Sequence, residues 1–264
     1  METLKNASRS IFTFRWKPGR DLLAVIVSWF LVTGTLYTAT VIVTAEAGGG
    51  LPYFFLYAIL AATLFGVGIP LAWMVVYRKR PVQDLGITSR ALGISLVLQL
   101  VFSIFLYLGT LTRADLPAFE QFLPLLALSL AIGFFEAVFW RGWMLQRLEE
   151  AFGMIPAILA GSLLYALYHI GYGMPFEEIS FLFWIGVLYA VSFRLTRSIF
   201  ILWPLYQPMG QLVTLIRDGL SLPVLAALGF FEVLLVMLLL VWFAHRFYLK
   251  RHPGIKGQHK PLPA

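Results

Sequence analysis

The chain has 264 residues, of which 60% are hydrophobic and 12% charged, and its formal charge is +7. Soluble domains carry about half apolar and about a quarter charged residues, so a water-soluble globular protein is excluded. Cysteine is absent, which removes disulfides, thiol nucleophiles and thiolate metal ligands together.

Apolar stretches long enough to cross a hydrocarbon layer of about 30 Å run over 22–44, 51–77, 91–112, 121–140, 153–171, 179–193, 198–216 and 222–244. They predict an all-α integral membrane protein, a bundle of about eight transmembrane helices. Gly48-Gly49-Gly50, Arg78-Lys79-Arg80-Pro81 and the Gly171 to Pro175 stretch read as the turns between them. Ala45-Glu46-Ala47 resembles a signal-peptidase site, but the apolar run before it exceeds the roughly 7–15 residues of a signal core, so a retained anchor is expected. The chain divides into a basic N-terminal segment (1–21), three spans (22–119), a core (120–218), a last span (219–246) and a basic tail (247–264) whose His252 and His259 read as solvated.

The positive charge is distributed by loop. The N-terminal segment holds Lys5, Arg9, Arg15, Lys17 and Arg20, and the loop after the second span holds Arg78, Lys79, Arg80 and Arg90. Arg141 and Arg147 follow the fourth span, Arg194 and Arg197 the sixth, and five more basic residues lie from Arg246 onward. The intervening loops hold only Arg113 and Arg217. The positive-inside rule then places both termini in the cytoplasm. The basic balance is a topology signal, and no nucleic-acid partner is expected.

A charge within hydrocarbon is costly, so ionisable residues inside spans are functional candidates. Every aspartate lies outside the spans, and only Glu136, His169 and Glu232 lie within them. That excludes a paired-aspartate protease, and no second histidine follows His169 at zinc-protease spacing. Ser162 is two turns before His169, about 10 Å along one helix, too far for a nucleophile–base bond. Glu136 and His169 are each about 24 Å from a reversal centred near Phe152–Gly153, at 1.5 Å per residue. Two antiparallel helices in contact therefore set carboxylate and imidazole at one height. The small residues Gly153, Ala157 and Gly161 permit close packing at that seam. A structural Glu–His hydrogen bond that fixes helix register satisfies the same spacing. Glu232, alone on the last span, is expected to pair structurally or face a small hydrated cavity.

The stretch Phe135-Glu136-Ala137-Val138-Phe139-Trp140-Arg141-Gly142 resembles the EExxxR motif of the CPBP membrane proteases (the CAAX prenyl protease and Abi bacteriocin-processing family). Tyr165-Ala166-Leu167-Tyr168-His169 is similar to that family's FxxxH motif, and Gln207-Pro208-Met209-Gly210-Gln211 falls where it carries HxxxN. Asp84-Leu85-Gly86-Ile87 adds a weaker likeness. The resemblance implies a peptide-bond hydrolase inside the membrane. Glu136 and His169 would activate a water, Gln207 and Gln211 would hold that water or the oxyanion, and Arg141 and Tyr165 would be structural. The departures are Ala137 for the second glutamate, Gln207 for histidine and Gln211 for asparagine. A glutamate at 137 would pair with Arg141 at i, i+4, whereas Glu136 lies about 140° around a regular helix from it. Pro204 and Pro208 point to a kinked helix beside a polar cavity.

Three functions remain open: an endopeptidase acting on membrane-associated protein or peptide, a degenerate family member serving as scaffold or complex subunit, and a proton-coupled transporter. No cofactor and no metal are expected, because zinc catalysis takes three protein ligands. The expected setting is a multi-pass position among membrane lipids in a prokaryotic plasma membrane. Cysteines introduced at Glu46 and at Gln258 into this cysteine-free chain are expected to label from opposite sides of the membrane. Labelling of both from one side defeats the orientation.

Overall fold

The computed structural model describes residues 14–44, 50–113 and 116–253. Ala45-Glu46-Ala47, Gly48-Gly49, Asp115 and the tail after Pro253, with His259, lie outside them, as do residues 1–13. Among the described residues, seven helices are long and apolar enough to cross a membrane. In chain order these are α1 (Arg20–Val43), α2 (Gly50–Tyr77), α3 (Leu92–Leu111), α4 (Phe119–Phe152), α5 (Met154–Tyr172), α6 (Phe176–Thr196) and, after the short α7 (Tyr206–Arg217), α8 (Leu225–Arg251). The chain is an all-α integral membrane protein.

α4 is the axis of the bundle, packed by α2, α5, α7 and α8. It runs well past the expected 121–140, and so Arg141 and Arg147 are buried helix residues rather than loop residues. From Ala137 to Leu145 its turns widen to π geometry. Because i→i+5 bonding sets residues five apart nearly above one another, Arg141 swings toward the face that carries Glu136. Gly153, at φ 91°, ends α4 and starts α5. Gly161 then faces Leu145 and Leu148 of α4, so the small-residue seam lies between these two helices.

The seventh expected span, 198–216, is rebuilt as a break and a short helix. Residues Ile199–Ile201 form a 3-10 turn, and α7 starts only at Tyr206, so its 12 residues rise about 18 Å, short of a full crossing. Irregular backbone at membrane depth survives only inside protein. Ser198, Ile199, Ile201, Leu202 and Tyr206 are accordingly all fully buried. The freed backbone groups find partners on other elements: Ile199 N–H donates to Gly86 O at 2.9 Å and Leu205 N–H to Gln99 Oε1 of α3 at 3.0 Å. The expected kink is thus a break. Pro208 does no damage in the first turn of α7, where its missing N–H has no helical partner to lose.

Both described chain ends lie at one end of the bundle. Arg15 N–H donates to Phe152 O at 3.0 Å and Lys17 N–H to Ala151 O at 2.9 Å, which pins the N-terminal segment to the end of α4. Glu149 bridges to Arg194 (2.7 Å) and Arg197 (3.2 Å), and Glu150 to Arg80 (3.0 Å) and Arg147 (3.1 Å). The end of α8 shares an apolar groove with Val75 and Val76, at the end of α2 that leads to Arg80. Arg113 and Arg217 meet around a separate groove beside Gly109. The chain therefore traverses the bundle eight times, seven on full helices and once through the break and α7.

Glu232 is exposed on α8 and has no ion pair or side-chain hydrogen bond among the described residues. It lies only about 10 Å from the start of α8 at Leu225, within reach of the interface, which removes the need for a partner.

Gly142 is where the 3-10 turn Val82–Leu85 meets α4: a Cβ there would lie 2.2 Å from Leu85 O. Backbone cannot swing aside as a side chain can, so Gly142→Ala is expected to destabilise the protein by about 1–3 kcal/mol. Thermal unfolding in detergent, against Gly161→Ala as a control that meets only side chains at 3.6 Å or more, measures it.

Candidate active site

Glu136 lies 1% exposed on α4, at the point where the helix widens. A carboxylate taken out of water must have its oxygens satisfied. Tyr168 of α5 donates its hydroxyl to Oε1, and Gln207 of α7 donates its side-chain amide to Oε2. The break before α7 makes the second bond possible. It starts a helix in the interior of the bundle with Gln207 in the first turn, so the helix's positive end is presented toward the carboxylate.

Tyr168 is the partner that sequence reasoning missed. It sits between the two residues of the second motif that were considered, and its signal was only a second aromatic one position before His169. Its hydroxyl is also 3.2 Å from that of Tyr172, which in turn is 2.9 Å from that of Tyr57 on α2. A chain of hydroxyls thus leads from Glu136 to α2.

His169 is 5% exposed at the start of the turn His169–Tyr172 and stacks against Tyr165, Tyr168 and Tyr172. Its Nδ1 lies 2.9 Å from the backbone oxygen of Tyr165. A carbonyl only accepts, so Nδ1 carries the hydrogen and Nε2 is left with its lone pair. That is the tautomer able to take a proton.

Glu136 and His169 both line one cavity of about 280 Å³, together with Gln207, Gln211, Tyr165 and Tyr189. The two do not hydrogen-bond each other directly; Glu136 turns to Tyr168 and His169 to the backbone. The side-chain oxygens of Gln207 and Gln211 are buried without partners among the described residues. Gln207 therefore serves Glu136 with its amide nitrogen, and its side-chain oxygen is an acceptor without a partner among the described residues. The wall is apolar elsewhere, with Ile132, Phe181 and Ile185.

Arg141 and Tyr165, expected to be structural, are in contact: the guanidinium carbon lies 5.0 Å from the Tyr165 ring centre. Ser162 packs against Gly186 of α6 and takes no part in the cavity. Among the described residues no three His, Asp or Glu side chains come together as a metal site would need. One imidazole, one carboxylate and two glutamine amides make a donor set unlike a catalytic zinc site.

Residues 118–206 match the family model of type II CAAX prenyl endopeptidase Rce1-like proteins. The match takes in Glu136, Arg141, Tyr165 and His169 and ends one residue before Gln207. No curated protein and no solved structure matches the chain. The stretch that carries the Glu136 and His169 walls of the cavity is thus similar to that of the CPBP/CAAX protease family.

Proposed function

We propose that this protein hydrolyses peptide bonds of membrane-associated substrates with a water activated between Glu136 and His169. The observation that carries the reading is that Glu136 and His169, the latter with Nδ1 bound to a carbonyl, line one largely apolar cavity. In the reaction the water oxygen attacks the peptide carbonyl carbon and gives its proton to Glu136 or His169. The C–N bond then breaks as that proton passes to the leaving nitrogen. Gln211 would face the oxyanion that forms on the carbonyl oxygen, while Gln207 and Tyr168 hold Glu136 in place. No step requires a metal, and the reaction should be insensitive to chelators.

The aromatic and aliphatic lining, with its few polar groups, suits an apolar peptide segment approaching within the bilayer. The gathering of basic side chains at one end supports a cytoplasmic location for both termini. We place the protein in the plasma membrane of a prokaryote on the same reading.

One observation favours a second function. Both carboxylate oxygens of Glu136 are already occupied, as in a structural lock, and Ala137 removes a charged motif position. A family member that scaffolds a membrane complex without chemistry would look the same.

Cleavage of membrane peptides by the purified full-length protein separates the two. Glu136→Gln and His169→Ala are each expected to lower kcat by about 10²–10⁴-fold. An inactive wild type that is merely destabilised by Glu136→Gln would establish the scaffold. Tyr168→Phe keeps the ring and removes one donor to Glu136. It is expected to lower kcat roughly tenfold with KM nearly unchanged, because the lost bond positions the base rather than the substrate. An unchanged kcat, or a loss confined to KM, contradicts that assignment.

A further inference from the structure

Where α1 begins, beside the ends of α2 and α4, lies a second cavity of about 280 Å³. Its wall carries four cationic side chains, Lys17, Arg20, Arg78 and Arg147, and two carboxylates, Asp21 and Glu150. Lys17, Arg20, Arg78 and Glu150 are exposed, so the cavity opens to the surface, and Arg147 at 3% exposure is the buried member of its wall.

Both carboxylates are already engaged. Asp21 accepts from Trp73 Nε1 at 2.8 Å and pairs with Arg78 at 3.3 Å. One oxygen of Glu150 is shared between Arg147 at 3.1 Å and Arg80, which is not part of the wall, at 3.0 Å. The cations are not matched in return. Lys17 and Arg20 form no ion pair among the described residues, and Arg20 donates only to the Tyr77 hydroxyl, at 2.9 Å. Arg147 is under-served as well. Its Nη1 reaches the Met74 sulfur at 3.4 Å, a weak acceptor, and its Nε is buried without a partner among the described residues.

The backbone adds to this positive surplus. Arg20 is the first residue of α1, and Gly19 before it has no side chain with which to cap the helix. Gly19, Arg20 and Asp21 all line the cavity, so the positive end of a long helix forms part of the wall.

We propose that this cavity holds the phosphate of an anionic membrane lipid, which joins α1, the end of α2 and α4. Its level in the bilayer points to that occupant. Arg20 starts the first apolar span and Arg78 directly follows the second, so the cavity sits where the hydrocarbon ends and lipid phosphates lie. Phosphate oxygens can accept from Lys17, from Arg20, from the first turn of α1 and from the under-served Arg147. The uncompensated positive charge repels the cationic end of a choline headgroup and selects an anionic one, such as phosphatidylglycerol. Such a lipid stabilises the junction of three helices whether or not chemistry occurs at Glu136.

The test measures thermal unfolding of the full-length protein in nanodiscs of phosphatidylcholine and in discs that also contain phosphatidylglycerol. Phosphatidylglycerol is expected to raise the midpoint by roughly 2–4 °C. Lys17→Gln/Arg20→Gln, which removes two exposed cations of the wall, should abolish the rise, and Lys17→Gln alone should reduce it. Lys250→Gln/Arg251→Gln removes as much charge from the same end of the bundle but outside the wall, and should leave the rise intact. Native mass spectrometry should find phosphatidylglycerol retained by the wild type and lost from Lys17→Gln/Arg20→Gln. Absence of a rise in the wild type overturns the proposal. So does a rise that Lys17→Gln/Arg20→Gln keeps, or one that both double variants lose alike, the mark of diffuse attraction. An equal rise from inorganic phosphate added to phosphatidylcholine discs overturns the lipid as occupant.

Discussion

A carboxylate inside a membrane protein cannot be left bare, and the arrangement of this bundle follows from meeting that demand at Glu136. Its two oxygens are served from two different helices, Tyr168 on α5 and Gln207 on α7. Neither bond exists unless α4, α5 and α7 converge at one height. The tight reversal at Gly153 brings α5 back along α4, and the break before Tyr206 puts the first turn of α7 beside Glu136. The break creates a second demand, because hydrocarbon offers nothing to freed backbone groups. It is met by Gln99 from α3, by the Gly86 carbonyl, and by full burial of the surrounding side chains. One buried carboxyl group thus accounts for the irregular segment and for Gln99 on α3.

The polar groups of the cavity fall into two sets. Glu136 and the Nδ1 of His169 are satisfied within the protein, which fixes their orientation. The side-chain oxygens of Gln207 and Gln211 and the whole guanidinium of Arg141 are not. A buried polar group without a partner lowers stability. The positions at which this chain departs from the motifs, Ala137, Gln207 and Gln211, fall in or beside this unsatisfied set.

At the end of the bundle that carries the described chain ends, Arg15 and Arg251, charge does a different job. Glu149 bridges Arg194 and Arg197 at the end of α6, and Glu150 bridges Arg147 on its own helix and Arg80 from the loop after α2. Half-exposed pairs of this kind contribute about 0–1 kcal/mol apiece. Their effect is to tie the loop after α2, the end of α4 and the end of α6 into one surface. The basic residues gathered at this end thereby join the helices to each other.

Composition and the placement of charge along the chain marked it as an all-α membrane protein of about eight spans, with Glu136, His169 and Glu232 as the ionisable residues inside apolar runs. The reason is that lipid acts on a segment through local content: a charge within an apolar run is rare and visible one residue at a time. The equal spacing of Glu136 and His169 about Gly153 was legible for the same reason, since helical rise is fixed. The break in the seventh crossing was not, because its apolar content equals that of a helix and only its burial by neighbours makes it tolerable. Tyr168 as the partner of Glu136, the outward turn of Glu232 and the unpaired state of Arg141 were likewise decided by tertiary structure. Each depends on how a helix is rotated and which helix lies against it. Widened turns in α4 and the meeting of three helices set those rotations, and hydrophobic spacing along one chain does not encode them.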